Sequence, residues 1–325
     1  MPERSKLAQS PLATKLAVMN LTDQANALAH SVGARELSDS ALIRVQGPDA
    51  RSWLNGQISN NVAMPKAGQA LYAVAPSAKG KILSDLWVFD RGSELWLLMP
   101  SHVRSDLMQQ FEKYIIMEKV SLQPVDDYVV WTLQGPAAAP LVGQLSVQDM
   151  QVFDCDRLGH CGVDLMFPVA QQESLRRALI PLLEAAHGVI VSDEAWELAR
   201  LRQGIPRFGI DFDSQHYPQE AGIAQRAVSF TKGCYIGQEV VAMLEHRGKL
   251  KRQLAKVQTP EPAVFAAGDT LYSNDKTKVG TISSAVLDAE RACMTGLTML
   301  ATTFLESHRE AFTHEGAIVT LEPLR

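Results

Sequence analysis

Hydrophobic and polar positions alternate over several short segments of the first 120 residues, with the spacing of two that is typical of β-strands. The first segment ends at Gln46-Gly47-Pro48, and proline tolerates the first turn of a helix. A helix carrying Ala50, Trp53 and Leu54 is therefore expected next. Four strands and a second, amphipathic helix are predicted here: strands over 41–45, 70–75, 82–89 and 95–99, and the helix over 101–117.

The same order of elements returns further along the chain. A strand is predicted over 129–133, and Gln134-Gly135-Pro136 follows it as Gln46-Gly47-Pro48 follows the first strand. A hairpin over 152–157 and 163–169 comes next, and then an amphipathic helix over 171–186. We interpret this as a diverged internal repeat of strand, turn, helix and antiparallel strands.

The last third of the chain changes character. A helix begins at Ser192 and is ended by Gly204 and Pro206, and residues 204–222 form a long polar loop of the kind that is usually functional or disordered. From Leu254 onward the segments are short, alternating and separated by turn residues. This pattern predicts a small β-barrel or sandwich.

Composition narrows the class of protein. Of the 325 residues 46% are hydrophobic and 21% are charged, which is ordinary for a globular protein. The net charge of −5 argues against a general nucleic-acid binder. The four cysteines are too few and too irregular for a disulfide framework, and no apolar run approaches the roughly 20 residues that span a bilayer. We expect a cytoplasmic protein with neither a membrane nor a nucleic acid as partner.

The octapeptide from Lys232 to Glu239 carries the most distinctive chemistry. Cys234 stands two residues after a lysine and just ahead of a predicted helix that has Gln238 and Glu239 in its first turn. A nearby cation and the positive end of a helix dipole both stabilise a thiolate. We interpret Cys234 as a working thiol and Lys232 as the residue that favours its thiolate. The alternative is a glycine-bounded turn in which Cys234 is a small buried residue.

A metal site is not expected. Asp154-Cys155-Asp156 and His160-Cys161 contain ligand types, but the spacing of the two cysteines is not that of a recognised zinc pair. Dinucleotide, Walker and zinc-protease motifs do not occur in the sequence.

Four segments of the sequence resemble segments of the folate-binding YgfZ family and occur in the same order as there. This family is a branch of the superfamily of the glycine-cleavage T-protein. The segments are Val45 to Ala50 followed by Leu54 to Val62, Lys79 to Leu86, Gly204 to Pro206 with Pro218 to Glu220, and Lys232 to Glu239 continuing to Lys249. The resemblance implies an α+β fold, with a pseudo-two-fold, T-protein-like folate-binding core of antiparallel sheets with helices and a small C-terminal β-barrel. It predicts an N-terminal extension over 1–35, a core over 36–250 with pseudo-repeats at about 36–120 and 121–250, and the barrel over 251–325. Leu12, Leu16, Met19 and Leu28 would form a peripheral helix or a mobile extension.

The resemblance also implies site residues. Asp85 aligns with the aspartate that faces the reactive end of folate, although it could instead pair with Lys79 or Lys81. Arg202 aligns with a glutamate that accepts hydrogen bonds from the pterin. Arginine can only donate hydrogen bonds, so Arg202 cannot accept those that a pterin amino group gives. Gln238 and Glu239 would shape the cofactor site. Arg247 would meet folate carboxylates together with Lys249, Lys251 and Arg252, unless these cations form a solvated charged face.

Three functions remain open. The leading hypothesis is a tetrahydrofolate-binding accessory protein for iron–sulfur cluster assembly or repair, with iron–sulfur client or assembly proteins as partners. The alternative is a folate-dependent one-carbon (aminomethyl) transferase. The cysteine separates the chain from the T-protein itself, which has a related stretch without it. A third possibility is a binding module that has kept the fold and lost folate.

Overall fold

A computed structural model describes residues 19–63, 68–246, 248–259 and 265–324. Three residues with a predicted role, Leu12, Leu16 and Arg247, lie outside the described residues. The chain divides into two compact units: unit 1 comprises Met1–Leu37, Val129–Val152 and Asp156–Ala199, and unit 2 comprises Ser38–Tyr128, Phe153–Cys155 and Arg200–Arg325. Both units are discontinuous in sequence, whereas the domains predicted from the sequence are continuous, and those boundaries stay predictions.

Nine α-helices and sixteen strands lie within the described residues. The helices are α1 Leu21–His30, α2 Ala50–Gln57, α3 Arg104–Glu112, α4 Ala138–Val142, α5 Gln172–Ala185, α6 Asp193–Arg202, α7 Ala224–Ala227, α8 Gln238–His246 and α9 Thr302–Ser307. The strands are β1 Gly33–Glu36, β2 Ser40–Gln46, β3 Ala70–Pro76, β4 Ile82–Asp90, β5 Leu95–Pro100, β6 Ser121–Val125, β7 Tyr128–Gln134, β8 Gln151–Asp154, β9 Gly162–Pro168, β10 Val189–Ile190, β11 Arg252–Gln258, β12 Thr270–Tyr272, β13 Lys278–Asp288, β14 Cys293–Ala301, β15 Glu310–Phe312 and β16 Ile318–Pro323. Each of the described helices is too short or too polar to cross a membrane.

The sheet of unit 1 has the strand order β10-β1-β7-β9-β8. Strand β1 pairs antiparallel with β7 and parallel with β10, so it is an inner strand. Helix α5 packs Leu175, Leu179 and Leu183 at every fourth position into the core, where all three are fully buried. Val32 and Ala34 belong to the same buried core, and Leu28 of α1 is also fully buried. The segment that the sequence assigned to an N-terminal extension thus supplies part of this core, because four residues of β1 are too few to show an alternating pattern.

The sheet of unit 2 has the order β3-β4-β5-β2-β6 with antiparallel neighbours. One face packs against α2 and α3 through Trp53, Leu54 and Phe111. On the other face, Tyr72 of β3 stands opposite Trp87 of β4, and the pair Val74–Asp85 lies two residues further along the two strands. Side chains of directly opposed residues project on the same side of a sheet. The strands therefore bring Tyr72, Asp85 and Trp87 together.

The two Gln-Gly-Pro segments share one backbone geometry. Gly47 has φ +122° and Gly135 has φ +117°, a region that favours glycine. A Cβ at Gly47 would meet the carbonyl oxygen of Lys119 at 1.9 Å, and a Cβ at Gly135 would meet that of Ser31 at 2.5 Å. Each carbonyl lies two residues ahead of a strand, β6 or β1, that pairs with the strand preceding the motif. The repeated Gln-Gly-Pro segment therefore adopts the same local structure in both units.

The six strands β11-β14-β13-β12-β15-β16 close into a barrel. Its core contains Val257, Phe265 and Leu321, each buried. The α+β fold with its small C-terminal barrel agrees with the sequence prediction.

One predicted helix is too long. The segment 101–117 contains a short 3₁₀ turn over Ser101–Val103 and then α3, which ends at Glu112. Two residues later the carbonyl of Tyr114 accepts a hydrogen bond from Trp53 Nε1 at 3.0 Å. The chain beyond α3 therefore continues as a loop, with Ile116 and Met117 exposed.

Candidate functional site

The octapeptide 232–239 runs through a loop into α8, with Gln238 and Glu239 in the first turn as the sequence indicates. Tyr235 and Gln238 are joined twice. The Gln238 amide donates to the Tyr235 carbonyl at 3.2 Å, and Gln238 Oε1 accepts from the Tyr235 amide at 3.3 Å. Tyr235 is buried, and this burial raises the pKa of its hydroxyl to about 12. Gln238 therefore closes the turn that leads into the helix.

Lys232 is a buried cation at the end of another helix. Its side chain is only 8% exposed, and Nζ donates to the carbonyls of Asn55, Ile58 and Asn60 at 2.5, 2.8 and 2.9 Å. These three bonds use all the donors of an ammonium group. Carbonyls at the C-terminal end of a helix lack intrahelical partners and attract cations, so Lys232 binds the end of α2 and the turn beyond it. Burial lowers the pKa of Lys232 to about 8.

Cys234 is exposed, and so is the neighbouring Gly233. The alternative interpretation of Cys234 as a small buried residue is therefore wrong. Cys155 and Cys293 are buried, whereas Cys161 is exposed. A thiol in the position of Cys234 is open to solvent and to a second molecule. The predicted effect of Lys232 on this thiol stays a prediction, since the lysine ammonium is engaged by carbonyls.

The octapeptide touches a second motif of the sequence. Gly237 lies against the tip of the β3–β4 hairpin, where a Cβ on Gly237 would be 2.3 Å from the Ser77 carbonyl oxygen and 2.9 Å from the Cα of Gly80. A Cβ on Gly80 would in turn lie 3.0 Å from the Cβ of Val240. Both glycines have positive φ angles, +75° and +73°. The two motifs, far apart in sequence, therefore form one structural contact that only glycine permits.

Asp85 lies beside two aromatic rings. Its Oδ2 accepts a hydrogen bond from the Tyr72 hydroxyl at 2.8 Å. The rings of Tyr72 and Trp87 have centroids 5.0 Å apart, and the Arg226 guanidinium lies 5.6 Å from the Tyr72 ring centre. Asn60 links the two segments that carry Tyr72 and Arg226, because its Nδ2 donates hydrogen bonds to the backbone carbonyls of both residues. We call Tyr72, Asp85, Trp87 and Arg226 the aromatic–acid face.

The aromatic–acid face has the chemistry to hold a folate. A pterin is a flat ring system that aromatic side chains can stack on, and its ring nitrogens can bind a carboxylate. The sequence analysis named Asp85 as a candidate and did not name Tyr72, Trp87 or Arg226. Trp87 could have been found, because residues two apart on a strand share a face. Tyr72 and Arg226 could not, since both come from other elements.

Arg202 is paired within unit 2. Its guanidinium makes two bonds to the Asp288 carboxylate, Nε to Oδ2 at 2.7 Å and Nη2 to Oδ1 at 2.6 Å, and Nη2 also contacts Glu290 at 2.9 Å. The hydrogen bond to Asp288 raises the pKa of Arg202. The side chains of Arg202 and Asp288 are 8% and 1% exposed. Arg202 therefore attaches α6 to the end of β13, and its predicted contact with a pterin stays a prediction.

The remaining predicted residues are more peripheral. Glu239, in the first turn of α8, is exposed, and so are Lys249 and Lys251. Lys81, one of the two lysines that could have paired with Asp85, donates to the Gln215 carbonyl and lies 4.6 Å from the ring centre of Tyr217. Within the described part of the chain, no three His, Cys, Asp or Glu side chains are grouped to hold a metal ion.

The sequence is similar to a known domain family and to several known proteins. Residues 13–156 match the GCVT N-terminal domain. The tRNA-modifying protein YgfZ of Klebsiella pneumoniae (strain 342) is 30% identical over 264 residues, which cover 77% of this chain and 80% of that protein. The protein of the same name from Yersinia pestis (strain Pestoides F) is 27% identical over 262 residues, covering 77% and 79%.

A solved structure shares the fold. Aminomethyltransferase T of the glycine cleavage system from Bartonella henselae superposes on 94% of this chain and 88% of its own, with a TM-score of 0.81 and 19% identity. At that identity the likeness concerns the fold alone. Together, the sequence identity to the named relatives and the shared fold show that this chain belongs to the YgfZ family of the T-protein superfamily.

Proposed function

We propose that the protein binds tetrahydrofolate and acts as an accessory factor in the assembly or repair of iron–sulfur proteins. The observation that carries the proposal is the aromatic–acid face, on which a carboxylate lies beside a pair of packed aromatic rings and is hydrogen-bonded to one of them. The fold is that of a folate-using superfamily, and this supports folate as the ligand.

Each residue of the aromatic–acid face has a defined part. The rings of Tyr72 and Trp87 would contact the flat pterin and exclude water from one side of it. Asp85 would accept a hydrogen bond from a ring nitrogen and stabilise positive charge there. The Tyr72 hydroxyl holds the Asp85 carboxylate in one orientation. Tetrahydrofolate, when bound, would supply the nitrogens that carry one-carbon units.

The exposed thiol is the second part of the proposal. Cys234 is accessible, and the turn around it is fixed by the Gln238–Tyr235 bonds and the buried Lys232. A thiolate held at the surface can bind iron of a client's cluster as cargo, or act as a nucleophile. We propose the first of these roles.

The names of the relatives indicate where such a factor acts. Those proteins are called tRNA-modifying, so we propose that this chain supports tRNA modification. The net charge of −5 does not favour a broad tRNA-binding surface. We therefore propose that the protein acts on an enzyme that modifies tRNA and not on the tRNA itself.

A folate-dependent one-carbon transferase is the alternative, and the fold of the aminomethyltransferase supports it. The two functions differ in one readout. A transferase would consume or form methylene-tetrahydrofolate when mixed with amine donors, whereas an accessory factor would bind folate without turnover.

The test of folate binding is a calorimetric titration with tetrahydrofolate. Asp85→Asn should weaken binding at least about tenfold, because a hydrogen bond to a charged group contributes roughly 1.5–3 kcal/mol. Asp127→Asn is the matched control, since Asp127 is exposed and outside the aromatic–acid face, and it should bind as the unaltered protein does. Trp87→Phe should reduce the change in tryptophan fluorescence on binding. The proposal fails if tetrahydrofolate does not saturate the protein at millimolar concentration, or if both aspartate variants behave alike.

A further inference from the structure

A cavity of about 880 Å³ lies in unit 2, apart from the residues of the aromatic–acid face. Its walls come from the tip of the β3–β4 hairpin, the loop ahead of α7, residues 249–251 ahead of β11, and strands β13 and β14. The residues that carry the argument are Lys81, Tyr217, Glu220, Lys249, Lys251 and Arg252. We call this space the basic cavity.

The basic cavity concentrates positive charge in a protein whose net charge is −5. Lys81, Lys249, Lys251 and Arg252 line it, and Glu220 is the acid among the lining residues. His216 also lines it, with its Nδ1 2.8 Å from the Asp213 carboxylate. The wall therefore carries more cations than anions.

Glu220 neutralises only one of these cations. It is buried, lies 3.4 Å from Arg252 Nε and accepts a hydrogen bond from the Tyr217 amide at 3.1 Å. Arg252 also donates to the Gln215 carbonyl at 2.5 Å. Arg252 and Glu220 thus form a fixed pair, and the surplus charge of the cavity belongs to the lysines.

Lys249 and Lys251 are available to a ligand. Both are exposed, and neither ammonium forms an ion pair or hydrogen bond with another residue that the structure describes. A run of surface lysines is usually a solvated face. Here they line a concave space, and concave walls of low dielectric concentrate the attraction for anions.

Another part of the cavity wall is apolar. Leu244, Leu250, Met299 and Leu300 line it, together with the ring of Tyr217. Such a wall would bury the carbon part of a ligand, while the lysines bind its charged end. Lysine ammonium groups suit carboxylates and phosphates as compact point charges.

We propose that the basic cavity binds a small organic anion that carries two or more carboxylate or phosphate groups on an apolar body. The lining residues of the basic cavity do not include those of the aromatic–acid face, and the proposal does not rest on folate binding there. The carboxylates of an oligoglutamate chain and the phosphates of a nucleotide are two sources of the same chemistry.

The experiment titrates the full-length protein with two probes, tetra-γ-glutamate and tripolyphosphate, by calorimetry. At least one should bind, and Lys249→Gln/Lys251→Gln should weaken that probe about tenfold or more, since two charge contacts are removed. Lys113→Gln/Lys119→Gln removes the same charge from exposed lysines outside the cavity and should stay within about twofold. Added salt should weaken binding to the unaltered protein more than to the cavity variant.

The stronger probe identifies the anionic group that the cavity prefers, carboxylate or phosphate. Asp85→Asn should leave binding of either probe unchanged, which separates this site from the aromatic–acid face. The proposal is overturned if neither probe binds below about 1 mM, a Kd worth only about 4 kcal/mol. It is also overturned if the two double variants lose affinity equally.

Discussion

Gly80 and Gly237 meet backbone to backbone, at the tip of the β3–β4 hairpin and the start of α8. Either one would bring a Cβ within about 3 Å of the opposing segment, and both have φ angles near +75°. The contact attaches the loop that carries Cys234 to the hairpin whose second strand carries Asp85. The position of the exposed thiol therefore depends on two residues that have no side chains.

Replacement of Gly237 by alanine should destabilise the protein. The new Cβ would overlap the Ser77 carbonyl oxygen, and a positive φ costs a residue with a side chain roughly 1–2 kcal/mol before that overlap is counted. We expect a loss of at least about 2 kcal/mol in the free energy of unfolding, measured in urea.

Gly233→Ala is the control for this prediction. Gly233 lies in the same octapeptide, and a Cβ there would meet nothing within 4 Å. It should change the free energy of unfolding by less than about 0.5 kcal/mol. Equal effects of the two substitutions would show that the close approach at Gly237 contributes nothing to stability.

Lys232→Met should also destabilise the fold. The substitution keeps the length of the side chain but leaves the carbonyls of Asn55, Ile58 and Asn60 without their donor. A buried polar group left unpaired costs about 1–3 kcal/mol. Lys79→Met, at an exposed lysine of the hairpin tip, is the control and should be nearly neutral. A neutral Lys232→Met would show that water replaces the ammonium.

The same lysine predicts a dependence on pH. Burial lowers the pKa of Lys232 to about 8, whereas an unfolded lysine titrates near 10.4. Between these values the unfolded chain binds more protons than the folded one, so stability from this group rises with pH and is lost as pH falls through about 8. The free energy of unfolding of the unaltered protein, relative to Lys232→Met, should therefore increase from pH 7.5 to pH 10. A difference that stays constant would contradict the lowered pKa.

Sequence reasoning found the family, the fold class and the two motifs, because alternation and turn residues are local signals. Strand β2 and helix α2 could be predicted on either side of Pro48, for instance. Strands β1 and β10 could not, because they have four and two residues and are specified by pairing. The partners of Arg202 were missed for the same reason, since Asp288 is 86 residues away in the chain.

Arg202 should act on stability more than on folate binding. Removing one partner of a buried ion pair typically costs about 3–5 kcal/mol, because the other charge stays buried. Arg202→Gln should therefore lower the free energy of unfolding by about that amount, and Asp288→Asn should do much the same. Arg51→Gln, which breaks a more exposed pair with Asp90, should cost less than about 1 kcal/mol.

Folate titration decides between the two roles of Arg202. If the residue only attaches α6 to β13, a folded Arg202→Lys variant should bind tetrahydrofolate as the unaltered protein does. A loss of affinity with unchanged stability would establish the pterin contact that the alignment suggests.

Cys234→Ser should separate function from folding. Cys234 and Cys161 are exposed in the native protein, whereas Cys155 and Cys293 are buried, so a thiol reagent should label two sites quickly. The serine variant should label one, and its free energy of unfolding should change by less than about 0.5 kcal/mol, as for most surface substitutions. In cells that lack the protein, this variant should fail to restore the activity of iron–sulfur enzymes.

Cys161→Ser is the matched control for Cys234, since it removes the other exposed thiol of the described residues. It should reduce the fast labelling equally and restore enzyme activity in full. If Cys234→Ser also restores activity, the thiol has no part in function, and the role of the octapeptide is the structural one set by Gly237 and Lys232. If both serine variants fail, a general loss of exposed thiols and not the position of Cys234 is responsible.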